Sequence, residues 1–153
     1  MNGKKIILTI CLISTLLGCN PRPIKNLIPI PRSDEAGIHI LEPLEVEKKV
    51  IDEAENSIIL FSIESCPYCA SAKEELENYA IEKGINVYDV DVTRPTNEER
   101  ESLVRATSYG GEDTFVFPYM DAFPHIYLFM ERYVAIVITE KFTETLDSYI
   151  EVV

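Results

Sequence analysis

The run Cys66-Pro67-Tyr68-Cys69 limits what this chain can fold into more than any other stretch. It follows the apolar segment Ile58-Ile59-Leu60-Phe61-Ser62-Ile63 and leads into Ala70 to Lys83, which Gly84 closes. A short, nearly continuous apolar run marks a central buried strand. Cys69, Ala72, Leu76 and Ala80 recur at three- and four-residue steps, the period of an inward helical stripe. The chain is therefore expected to pass from strand to helix through the two thiols. At a helix start, outward N–H groups and the positive end of the dipole stabilise a thiolate on the first cysteine. Pro67 suits the first turn, where its missing N–H costs nothing. The second thiol, three residues on, is close enough to attack a mixed disulfide formed by the first. Cys66 is thus expected to be the exposed attacking thiol and Cys69 the resolving thiol on the inward stripe; the alternatives are an inert structural pair and half a zinc site. Tyr68 either caps the dithiol or stands plainly exposed. A zinc site would need two more ligands. The only histidines are His39 and His125 and there is no second C-x-x-C, so no metal is expected.

The N-terminus reads as an address. Lys4 and Lys5 precede an apolar run from Ile6 to Leu17, as long as a signal core and short for a bilayer span. It ends in Leu16-Leu17-Gly18-Cys19, which resembles the bacterial lipobox. That resemblance implies a lipoprotein signal peptide over 1–18, cut before Cys19, with Cys19 acylated; the alternative is a short N-terminal anchor that is not cut. Cys11 would be removed with the signal. The lipid would place the chain outside the cytoplasm on a bacterial membrane, where disulfides persist. From 19 to 37 the chain carries Pro21, Pro23, Pro29 and Pro31, a composition that favours an extended spacer. Ile24, Leu27, Ile28 and Ile30 offer the other option, packing on the domain. The domain itself is expected over 38–153. The formal net charge of −12 argues against nucleic acid as a partner. Hydrophobic residues at 46% supply a core for one domain of ordinary size.

Within the domain, Leu44, Val46, Val50, Ile51 and Ala54 set a first helix over about 42–55. After the dithiol helix, Ile85, Val87, Val90 and Val92 mark a second strand. Thr96 and Glu99 stand at capping-box spacing before a helix from Glu98 to about Thr107. The glycine- and aromatic-rich stretch from Ser108 to Asp121 shows no period. Ile126 to Met130 and Tyr133 to Ile138 read as a hairpin, although Glu131-Arg132 lacks the Asn or Gly that tight turns favour. Phe142 to Val152 suggests a closing helix. The order helix, strand, helix, strand, helix, hairpin, helix gives an α/β fold, a mixed sheet with helices on both faces.

In this order, and in the C-x-x-C after the first central strand, the chain resembles the thioredoxin-like superfamily over about 42–153. The resemblance implies a thioredoxin-like fold. It also implies a cis-proline that precedes the first hairpin strand and faces the dithiol. In Phe123-Pro124-His125-Ile126 that place belongs to Pro124; Pro118 is its rival. A cis X-Pro bond exposes backbone with which a substrate chain can pair. His125 is then either a tuner of the Cys66 thiolate and partner contact, or a polar residue at a strand start. The buried acid that thioredoxin carries six residues before its first active cysteine is Leu60 here, and Glu64 is either a replacement relay or a solvated loop carboxylate. The Pro-Tyr dipeptide is that of glutaredoxins, but Gly110-Gly111-Glu112-Asp113 precedes Pro124, so glutathione binding is not inferred. The address and motif together also resemble thioredoxin-like accessory proteins of bacteriocin export systems. The function implied is a membrane-tethered thiol–disulfide oxidoreductase working on protein cysteines outside the cytoplasm. Cys66 and Cys69 are its catalytic pair, and Pro67, Tyr68, Pro124 and His125 support them. It would need no dissociable cofactor, only protein thiol or disulfide substrates and a redox partner to reset the pair. The alternative is an accessory binding subunit of a secretion or envelope complex, with Tyr109, Phe115, Phe117 and Tyr119 as a docking surface.

Overall fold

The computed structural model describes residues 27–108 and 123–153. The expected signal, Cys19, the start of the spacer, Pro118, the Gly-Gly segment and the four insertion aromatics lie outside the described residues.

A five-stranded mixed sheet organises the domain, in the order β2(Gly37–Ile40), β4(Asn86–Asp91), β3(Ser57–Ser62), β5(His125–Met130), β6(Tyr133–Ile138). β2 and β3 run parallel to β4, while β5 and β6 form the antiparallel half. Strand alternation sorts the core into two layers, because successive side chains point to opposite faces. Ile58, Leu60, Ile126 and Leu128 face α2(Pro67–Lys83) and α4(Phe142–Tyr149), where Leu76, Tyr79 and Leu146 meet them. Ile59, Phe61, Tyr127 and Phe129 face the other layer, built by α1(Pro43–Glu47) and α3(Asn97–Ser108). There Phe61 and Tyr127 pack edge to face with centroids 4.9 Å apart. The expected α/β fold with helices on both faces is the observed one.

The helix ends follow local chemistry. Thr96 and Glu99 form their capping box, with the Glu99 amide donating to Thr96 Oγ1 and the Thr96 amide to Glu99 Oε2. Gly84 ends α2 at φ +70°, the left-handed conformation glycine adopts freely. The first helix departs from the expected regular run over 42–55: after α1 the chain continues as a π-helical turn, Lys48–Asp52. The Glu131-Arg132 turn lacks Asn or Gly but borrows one. Asn56 Oδ1 accepts the Glu131 N–H at 2.7 Å, with Glu131 at φ +55°.

Two expectations are corrected at the chain ends. Of the two options for the segment over 19–37, Ile28 and Ile30 take the second: they are buried in β1(Ile28–Ile30), which packs on the domain, so the domain reaches back beyond the expected start at 38. The closing helix stops at Tyr149, and β7(Ile150–Val152) pairs parallel with β1. Branched Ile150, Val152 and Val153 fit a strand better than a helix end. Pairing also satisfies backbone groups on both segments, with Arg32 N–H to Val153 O and Val153 N–H to Ile30 O, each 3.0 Å. The edge strand β2 was not expected at all. The Glu77 carboxylate accepts its Ile38 N–H.

Candidate active site

The dithiol stands where β3 gives way to α2. Cys66 is the N-cap residue in extended conformation, and its sulfur accepts the Cys69 backbone N–H at 3.1 Å. Any negative charge on that sulfur would meet an amide donor and the positive end of a helix of 17 residues. Pro67 is the first helical residue, as its fixed φ and missing donor favour. Cys66 and Cys69 are disulfide-bonded, with Cα atoms 5.2 Å apart. Their exposure differs as the helical stripe requires: Cys66 is half-buried and Cys69 is 2% exposed. Tyr68, between the two cysteines, is 76% exposed.

Opposite the dithiol the Phe123–Pro124 peptide bond is cis. It leads directly into β5, where Phe61 of β3 pairs with His125. The central strand that delivers Cys66 thus also positions the proline segment. The Phe123 carbonyl oxygen lies 3.8 Å from the Cys66 sulfur. His125 is half-buried with its ring edge-on to Phe123 at 5.8 Å, and it lines a cleft on the Tyr68 side. Glu64 is exposed at the loop before Cys66, its N–H bonded to Thr93 Oγ1, as a solvated loop carboxylate would be. Leu60 is fully buried in the sheet.

Sequence analysis missed a buried polar group behind the dithiol. Asp89 of β4, the register neighbour of Leu60, is 7% exposed. Its Oδ1 accepts the Ser62 hydroxyl at 2.7 Å, and its Oδ2 lies 2.6 Å from Lys73 Nζ. Lys73 and both cysteines line one small cleft on the inner side of the motif. The acid absent from position 60 is thus matched by a carboxylate one strand over, joined to the cleft through an ammonium. The pair thus places an ammonium, held by a buried carboxylate, in the wall of the cleft that the two cysteines share. Two signals were legible. Asp89 interrupts the apolar strand Val87 to Val92, and Lys73 stands four residues after Cys69, one turn along the same helix side. Three charged side chains of α2 tie elements together: Lys73 to Asp89, Glu77 to β2, and Lys83 to Asp147 of α4 at 2.7 Å.

A dithiol capping a helix and facing a cis-proline across a mixed sheet defines a thioredoxin-like protein. Thioredoxin O1 from Arabidopsis thaliana, in its oxidised state, is similar in fold at a TM-score of 0.51 and 12% identity, over 75% of this chain and 99% of that one. Within that class, residues 57–145, more than half of the chain, match the family described as Glutaredoxin-like domain (DUF836), and the chain belongs to it. Glutaredoxin 1 of Rickettsia felis and that of Rickettsia conorii are each 34% identical over 59 residues, 39% of this chain and 52% of the relative. Glutaredoxin 1 of Rickettsia typhi is 32% identical over 59 residues, 39% of this chain and 51% of the relative. The chain spans about half the length of the curated relatives it matches. At the level of the family, the chemistry is of the thiol-redox type.

Proposed function

We propose that this protein is a thiol–disulfide oxidoreductase of protein cysteines, tethered outside the cytoplasm by lipid on Cys19. The observation that carries the chemistry is the placement of the Cys66 sulfur. It caps α2, is half-buried, and lies 3.8 Å from the carbonyl before cis-Pro124, while Cys69 is buried behind it. In the reducing direction the Cys66 thiolate attacks one sulfur of a substrate disulfide. The other substrate sulfur leaves as a thiolate and takes a proton, and a Cys66–substrate mixed disulfide remains. Cys69, once deprotonated, attacks the Cys66 sulfur. The Cys66–Cys69 disulfide forms, the second substrate thiolate leaves, and the substrate has gained two electrons. Oxidation of a substrate dithiol reverses these steps. Phe123 and Pro124 offer the backbone edge along which the substrate chain lies, and Tyr68 covers the pair from the solvent side. A redox partner, with no dissociable cofactor, resets the dithiol.

The chemistry is tested by reduction of insulin disulfides. Wild type should turn over and Cys66→Ala should not; full activity in that variant would sink the assignment. The address is tested separately, by labelling with a radioactive fatty acid and by membrane fractionation. Cys19→Ser should lose both the label and the membrane association.

A further inference from the structure

We propose that the cleft on the Tyr68 side of the dithiol selects substrate chains with an apolar residue followed by lysine or arginine beside the reactive cysteine. This rests on the thiol–disulfide chemistry above and adds the substrate class. The cleft holds about 560 Å³, the size of an ordinary ligand pocket. Tyr68, Phe123, Pro124 and Phe142 supply its aromatic and proline walls. A chain joined to Cys66 and lying along Phe123 places its next residues there, because Tyr68 and Phe123 border both the dithiol and the cleft.

The charged side chains among the described lining residues are Glu75 and Glu140, both exposed. Lys141 follows Glu140 in the chain but is not part of the wall. Glu75 has a further consequence. Its Oε1 accepts the Thr143 hydroxyl at 3.1 Å and the Thr143 N–H at 3.4 Å, in the first turn of α4. A helix N-terminus is where an incoming carboxylate would find N–H donors and a favourable dipole. Here the chain's own carboxylate occupies it. An acidic ligand, glutathione with its two carboxylates included, meets two like charges and a filled anion position. A leucine-then-lysine segment instead meets aromatic and proline walls and unlike charge, and a guanidinium or ammonium gains from the Tyr68 ring face. The net charge of −12 draws cationic chains in the same sense.

The test uses the full chain and two disulfide-bearing peptides, identical except for Cys-Leu-Lys-Lys against Cys-Leu-Glu-Glu, with neutral 2-hydroxyethyl disulfide as the reference. With the reduced protein, kcat/KM for the basic peptide should exceed that for the acidic one about tenfold at low salt, and the ratio should shrink near 0.5 M NaCl. In a second arm, Ser-for-Cys versions of both peptides are titrated into the oxidised protein by fluorescence anisotropy, and the basic one should bind tighter. Glu140→Lys should bring both ratios towards one. Glu75→Gln should do the same where it folds, and Glu140→Lys decides alone where it does not. Equal or reversed preference in both arms, with the neutral disulfide reduced, overturns the inference. Failure to reduce all three disulfides overturns the chemistry instead, and the binding arm then still decides the cleft.

Discussion

The two sides of the dithiol helix differ in charge and in burial. On the inner side Lys73 lines the cleft with both cysteines and is paired with buried Asp89. On the outer side Glu75 and Glu140 rim an open, largely apolar cleft beside Tyr68 and Phe123. Positions 73 and 75 are two residues apart, and at about 100° per residue they point to nearly opposite sides of one helix. Lys73 lines the cleft it shares with the cysteines, and its counter-charge, Asp89, is withdrawn into the sheet. The anions stand where a partner chain would lie. On the proposed function, one helix would separate the tuning of the sulfur from the reading of the substrate, and each side could then be changed without the other.

The largest effect that tests this division is on the sulfur itself. Cys66→Ala should lower disulfide reduction by roughly a thousandfold or more, while Cys69→Ser should leave trappable mixed disulfides visible on non-reducing gels. If Cys69→Ser traps nothing, the inner thiol is not the resolving one. Next comes the sheet on which both sides hang. Phe61 is fully buried against Tyr127, so Phe61→Ala should cost about 3–5 kcal/mol in denaturant unfolding. It should weaken chemistry and peptide selection together, and a loss confined to one side would show that the two do not share a scaffold.

Smaller and sharper is the inner pair. Lys73→Met leaves a nearly buried carboxylate without its ammonium, and the lysine is itself partly exposed. The expected destabilisation is about 1–3 kcal/mol. It should also raise the Cys66 thiol pKa, by removing a nearby cation. Asp89→Asn should lower that pKa, by removing the anion that offsets the same cation. Thiolate absorbance against pH reads both, and shifts of the same sign would break the comparison. The basic-to-acidic peptide ratio should stay at its wild-type value in each.

The smallest effect is a control far from either side. Arg105 hydrogen bonds to Glu47, joining α3 to α1, and hold its carboxyl below the ordinary carboxylate range against the opposing effect of burial. A depressed pKa contributes stability above the ordinary value, and that contribution is lost as pH falls through the folded one. Glu47→Gln should therefore lower Tm by less than about 4 °C at pH 7. The gap should close by about pH 3, and a gap that widened in acid would contradict the assignment.

What the sequence determined by itself is local. The strand before Cys66, the helix after it, the inward position of Cys69 and the Thr96–Glu99 capping box follow from periodicity and from residues a few positions apart. The place of Pro124 came from the resemblance, read against the strand pattern that starts directly after it. What tertiary structure alone decided is pairing across long separations. Ser62 and Asp89 meet across 27 positions and Glu75 and Thr143 across 68, while Ile28 finds Ile150 from the opposite end of the chain. A polar side chain has many partners of the right chemistry, and a short apolar segment such as Ile28-Pro29-Ile30 has no period long enough to read. Which partner is taken depends on where the sheet brings the elements together. For that reason the thiols were legible from the start, and the pairings of the charges that flank them were not.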